Sequence, residues 1–81
     1  MKVVWDEPKR LTNLAKHGLD FADLDPDFFA AAQVTPAERD RFVAVGEYQA
    51  GIIITVVFKP LGAEAVSVIS MRPASRKERR R

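Results

Sequence analysis

Residues 41–71, RFVAVGEYQAGIIITVVFKPLGAEAVSVISM, decide the fold. Here the apolar positions leave a helical period and begin to alternate, which is the spacing of a strand with one face against a core. RFVAVGEY (41–48) and GIIITVVF (51–58) are separated by Gln49 and Ala50, and EAVSVISM (64–71) follows the turn KPLGA (59–63). Short separations rich in Gly and Pro predict three consecutive antiparallel strands. In the middle strand Ile52, Ile54, Val56 and Phe58 share one face and Ile53, Thr55 and Val57 the other. Both faces are apolar, as in a central strand covered on both sides. Pro73 ends the third strand.

Upstream, QVTPAERD (33–40) reads as a loop from its proline and its polarity. KVVW (2–5) is a short apolar run stopped by Asp6, a helix N-cap residue with Pro8 in the first turn, so a helix is expected from Glu7 to His17. Its apolar residues Leu11, Leu14 and Ala15 lie on one side, with Lys9, Arg10, Thr12, Asn13 and Lys16 elsewhere. Gly18 stands where a left-handed cap belongs. A second helical region, Asp20 to Ala32, should break near Asp25, because Asp25-Pro26 is a cap followed by proline at the first helical position. The aromatic and aliphatic set in DFADLDPDFFAAA (20–32) suits either a core or a partner interface, and the same holds for Trp5, Phe42 and Phe58; an exposed Phe58 would also be able to stack a base. The expected architecture is α+β: an N-terminal strand at a sheet edge, two helices packed on one face of a small antiparallel sheet, the three-strand meander, and a short basic helix in PASRKERRR (73–81) that competes with frayed coil.

The chain has 81 residues, enough for a single domain, 1–81, burying roughly 60% of its unfolded surface. It has no cysteine, so neither disulfides nor a thiolate zinc site can staple it, and a partner chain is the expected substitute. No apolar run reaches the length of a membrane span, and MKVVWDEPKR turns polar too early for a signal peptide, which points to a cytoplasmic protein. The net charge of +2 conceals polarity. Through Ser70 there are seven basic and ten acidic residues; from Met71 onward there are six basic and one acidic. Asp20, Asp23, Asp25 and Asp27 concentrate the negative charge. Such a distribution would steer a polyanion to one end, although helix-capping aspartates and a solvated arginine face are the plainer account.

Three elements, W-D-x-x-K at 5–9, N-x-x-K-H-G at 13–18 and I-S-x-R-x-A-x-x-x-E at 69–78, occur in order across nearly the whole chain. Together they resemble the BrnT family, the toxin half of a bacterial type II toxin–antitoxin pair. The resemblance implies a RelE-like fold, ribonuclease activity that arrests translation without a cofactor or metal, and neutralisation by a BrnA-type antitoxin that alone contacts operator DNA. By position it places a family basic residue on Arg41 and the family's strand-end arginine on Arg72. The residues after that arginine fall on Ala74, Arg76, Glu78 and Arg79. The chain departs from the usual pattern at Lys59 and Pro60.

A metal-free ribonuclease drives the RNA 2′-hydroxyl onto the adjacent phosphorus, so it must align the backbone, stabilise phosphoryl charge and assist two proton transfers. Arginine suits the second of these requirements, since its fork binds two oxygens and stays charged, and one such donor contributes roughly 3–4 kcal/mol in the transition state. Arg72 is the leading catalytic candidate, with Arg41 converging from a neighbouring strand and Arg76, Lys77 and Arg79 binding RNA. The single histidine excludes a two-histidine pair within one chain. His17 is the candidate for proton transfer on pKa, but its place in the last helical turn also fits simple capping of the helix dipole. Glu47, Tyr48 and Glu78 are alternatives. The competing functional class is a non-enzymatic module that binds nucleic acid or a partner through its basic end.

Overall fold

The computed structural model describes residues 1–80. Its strands are β1 (Lys2–Trp5), β2 (Gln33–Pro36), β3 (Phe42–Glu47), β4 (Ile53–Leu61) and β5 (Ala65–Pro73), and its helices are α1 (Glu7–His17), α2 (Pro26–Ala31) and α3 (Arg76–Arg79). One five-stranded sheet has the order β1-β5-β4-β3-β2. The meander β3-β4-β5 is antiparallel as expected, whereas β1 runs parallel to β5, so the sheet is mixed.

Helix α1 obeys its punctuation: Asp6 is extended, and Gly18 closes the helix at φ 68° with its N–H on the Leu14 carbonyl. The second helical region breaks where proline requires. A 3₁₀ turn at Phe21–Asp23 is capped by the Asp20 carboxylate, and α2 by Asp25, which accepts from the Phe28 N–H. Two of the clustered aspartates are therefore caps. Asp23 instead accepts from the Tyr48 hydroxyl at 2.7 Å.

Phe21, Leu24 and Phe28 are buried against Ala44, Ile54, Val56, Phe58, Val66, Val68 and Met71. Each large side chain so placed contributes roughly 1.5–3 kcal/mol of transfer free energy. Residues 21–28 cover this face of the sheet, so the apolar set of residues 20–32 is largely spent in the chain's own core, while α1 contributes no residue to that cluster and packs at the β5 edge instead of on the face where two helices were expected. Phe58 is buried as well and stacks on Phe42 with ring centroids 5.9 Å apart, so it offers no surface to a base.

Three expectations are corrected. Residues 33–36 pair with β3 as an edge strand instead of forming a loop, leaving only 37–41 as a connection. Arg41 is thus at the end of a hairpin loop, closed by Ala37 N–H on the Arg41 carbonyl and Arg41 N–H on the Glu38 carbonyl. The buried face of α1 is Arg10, Asn13, Leu14 and His17, while Leu11 is 53% exposed. The helix lies against β5 beyond the end of β1, where it meets backbone, and a polar side chain is what that edge needs. Asn13 Oδ1 accepts the Met71 N–H at 3.1 Å, and its Nδ2 donates to the Leu19 carbonyl. Arg10 binds Glu7 through Nε and Nη2 and reaches Asp20 through Nη1. The Arg10 fork, with help from the Trp5 indole N–H, holds Glu7 at about 2, well below the ordinary carboxylate value. No helix among the described residues is long and apolar enough to cross a membrane.

Candidate functional site

The chain leaves the sheet at the end of β5 and turns back over the face opposite the core. Thr55 of β4 lies opposite Arg72 of β5 in the register, and both belong to this second face. Ala74 still donates its N–H to the Ile53 carbonyl. Ser75 then starts α3 with a full capping box: its hydroxyl accepts the Glu78 N–H, and the Glu78 carboxylate accepts the Ser75 N–H at 2.8 Å. This reciprocal arrangement satisfies two helix-end donors and makes a single helical turn stable.

The same carboxylate completes the site. Thr55 is fully buried, so its hydroxyl needs a partner; it donates to Glu78 Oε1 at 2.9 Å. Arg72 Nη1 donates to Oε1 at 2.8 Å and Nη2 to Oε2 at 2.9 Å, a bidentate pair, and Nη1 also reaches the Pro73 carbonyl at 3.3 Å. Glu78 is lowered to about 2, chiefly by the Arg72 fork and further by the Ser75 N–H and Thr55 hydroxyl. Arg72 is raised in turn by its hydrogen bonds to Glu78.

A guanidinium has five N–H donors. Three of those on Arg72 are engaged, and the Nε–H and the outer Nη2–H, which lie along one edge of the plane, have no partner among the described residues. The side chain is 42% exposed while that of Glu78 is only 18%. The result is a cation fixed on its inner edge with a second, parallel pair of donors turned toward solvent. That geometry fits two oxygens of a phosphate.

The other candidates are distributed unevenly. Arg76, Lys77 and Arg79 lie along α3, beside Arg72 and in no ion pair among the described residues. Arg41 is half-buried and shares a shallow recess with Arg39 and Val57, so it is on the Arg72 face but at its far end. Four residues along and two strands across separate it from Arg72, roughly 16 Å between Cα atoms. The two arginines thus stand on one face at opposite ends of it, Arg72 at the strand end and Arg41 at the hairpin loop. His17 is in the helical layer, lining a groove between α1 and β5 together with Ser70. Tyr48 is held above its ordinary pKa by burial and by Asp23, which suits it poorly for proton transfer. Glu47 is exposed, and Arg81 lies outside the described residues. Among those residues no three His, Asp or Glu side chains are grouped to hold a metal ion. Thr55 and the clamping role of Glu78 escape a residue-by-residue reading, although Ser75-x-x-Glu78 is a capping-box signature.

Residues 5–78 match the family model described as the ribonuclease toxin BrnT of type II toxin–antitoxin systems. Among solved structures, the chain resembles the crystal structure of the Brucella abortus ribonuclease toxin BrnT, with 63% sequence identity, a TM-score of 0.88, and coverage of 94% of this chain and 99% of that one. No curated protein sequence matches. A motif set, a mixed five-stranded fold and a near-complete structural match converge: this chain belongs to the BrnT family of ribonuclease toxins of type II toxin–antitoxin systems.

Proposed function

We propose that the chain, as one RelE-like toxin domain acting in the cytoplasm, cleaves RNA without a metal by holding the scissile phosphate on the outer edge of Arg72. The observation that carries this reading is the Glu78 clamp: it immobilises one side of the guanidinium and leaves a bidentate edge exposed. Preorganised donors of this kind stabilise charge that develops on a phosphoryl oxygen with little reorganisation. Arg76, Lys77 and Arg79 hold flanking phosphates, and Arg41 contacts the strand further along the face. His17, the only imidazole, is assigned to proton transfer. Glu78, with its low pKa and four accepted hydrogen bonds, is ionised at neutral pH and serves to position Arg72. A BrnA-type antitoxin neutralises the toxin and supplies any contact with operator DNA.

The test is incubation of pure protein with RNA in EDTA, followed by analysis of the ends. Fragments carrying 2′,3′-cyclic phosphate are expected, with Arg72→Ala slower by about 100-fold or more. Removing Arg80 and Arg81 should cost a small factor that lower salt restores. Binding without cleavage would instead assign the chain to the non-enzymatic module class. Equal losses from the truncation and from Arg72→Ala would mean that the basic tail acts collectively.

A further inference from the structure

The groove beside β5 exists because two irregularities coincide. Strand β1 pairs only as far as Trp5 opposite Val68, and the ladder between β4 and β5 slips at the next residue, so Ile69 has no partner on β4. Bulges of this kind bend a strand and re-aim its side chains, and they recur beside active sites. Helix α1 closes the exposed edge through Asn13 and leaves a groove of about 420 Å³, lined by Lys9, Thr12, Lys16, His17, Ile69 and Ser70 among others.

The helical wall is cationic by spacing. Lys9, Thr12, Asn13 and Lys16 recur at i, i+3, i+4 and i+7, so Asn13 faces the strand while the lysines flank it about 10 Å apart. Both lysines are exposed, neither has an ion-pair partner among the described residues, and no carboxylate lines the groove. The strand wall connects the groove to the site. Ser70 shares the face of Arg72, since they lie opposite Val57 and Thr55, and it stands two residues away, about 7 Å along β5. One extended nucleotide covers that step.

We infer that this groove is a second RNA subsite: the strand bound at Arg72 continues over the β5 edge, with Lys9 and Lys16 each taking a phosphate beyond the scissile one and Ser70 beside the nucleotide that leads into the groove. This rests on the assignment of the scissile phosphate to Arg72.

The experiment measures binding of a non-cleavable single-stranded 2′-O-methyl RNA of about 12 nucleotides as a function of salt. Each phosphate of a single strand that the protein ceases to neutralise should lower the slope of log K against log salt by about 0.7. Lys9→Ala with Lys16→Ala should therefore lower it by about 1.4, twice that single-phosphate value, whereas Lys2→Ala, at the far end of β1, leaves it unchanged. Cleavage by the double variant should weaken through KM on long RNA and stay at the wild-type rate on a dinucleotide, which is too short to enter the groove. An unchanged slope, or a loss confined to antitoxin binding, overturns the subsite. If Arg72→Ala cleaves normally, the assignment of the scissile phosphate fails instead, whatever the lysines do.

Discussion

Glu78→Gln separates fold from function at the site. Gln still serves as the third residue of a capping box, because its oxygen can accept the Ser75 N–H. Its amide nitrogen, however, meets Arg72 Nη2 donor to donor, and the ion pair is gone. In the native chain the Glu78 carboxyl stands at about 2 against an ordinary 4.5, a difference that would correspond to roughly 3 kcal/mol if fully realised. Arg72 is 42% exposed, so solvent screens part of that interaction. The expected loss of stability is about 1–2 kcal/mol, read by urea denaturation at neutral pH. The pH dependence has a definite sign. The folded pKa is depressed, so between about 2 and 4.5 the unfolded chain binds more protons than the native one. This contribution is complete above 4.5 and is lost as the pH falls toward 2; Glu78→Gln should lack that segment of the stability curve.

Cleavage should fall by about 10-fold, and at most about 100-fold, as the guanidinium loses its orientation. The decisive comparison is the double variant. If Glu78 acts through Arg72, Glu78→Gln adds no further loss of cleavage to Arg72→Ala, although it still lowers stability. Additive losses in kcat would refute the reasoning and place Glu78 directly in the chemistry.

Two further substitutions test the scaffold behind the site. Asn13→Ala strands the Met71 N–H and should cost about 1–3 kcal/mol, with faster amide exchange at Met71, and a change within about 0.5 kcal/mol would contradict the edge-capping role. At Gly46 a Cβ would stand 3.0 Å from Ala32 Cβ and 3.2 Å from Phe28 Cε1, so Gly46→Ala should destabilise by about 1–3 kcal/mol in the same denaturation assay, and an unchanged midpoint would show that α2 can move away from β3.

What the sequence displays is mostly local chemistry. Asp25-Pro26 announces the break between the 3₁₀ turn and α2, Gly18 the end of α1, and the alternation in 42–71 the meander. Strand β2 is hidden because QVTP has no apolar alternation, and it is a strand only by pairing with β3; Pro36 is tolerated there as the last residue of an edge. The inward face of α1 is hidden for a related reason. Apolar periodicity assumes an apolar neighbour, and this helix packs on the unpaired backbone of β5, where Asn13 is more useful than Leu11. The parallel pairing of β1 with β5 joins residues more than 60 positions apart, and no local signal carries it. Arg72 is legible as a strand-end arginine from the motif around it. The separation of Arg41 from it is not, because neighbouring strands alone do not determine how far along each a residue stands.

The basic terminus acquires its asymmetry from its one acid. Among the described arginines of 72–80, only Arg72 is anchored both by a strand and by a carboxylate, and Glu78 is available for that purpose because it is already needed twice. It must complete the cap of α3, and it must accept the hydroxyl of the buried Thr55, which otherwise would be left unpaired on a covered face. These two structural requirements fix the carboxylate before Arg72 is considered. The arginine is then oriented by a group whose own position is over-determined, so little freedom remains to be lost when a phosphate arrives. The arginines of α3 have no such anchor and contribute mainly charge. Electrostatic attraction can therefore tolerate the exchange of one of them for another, while the reaction depends on the single fork that the fold holds still.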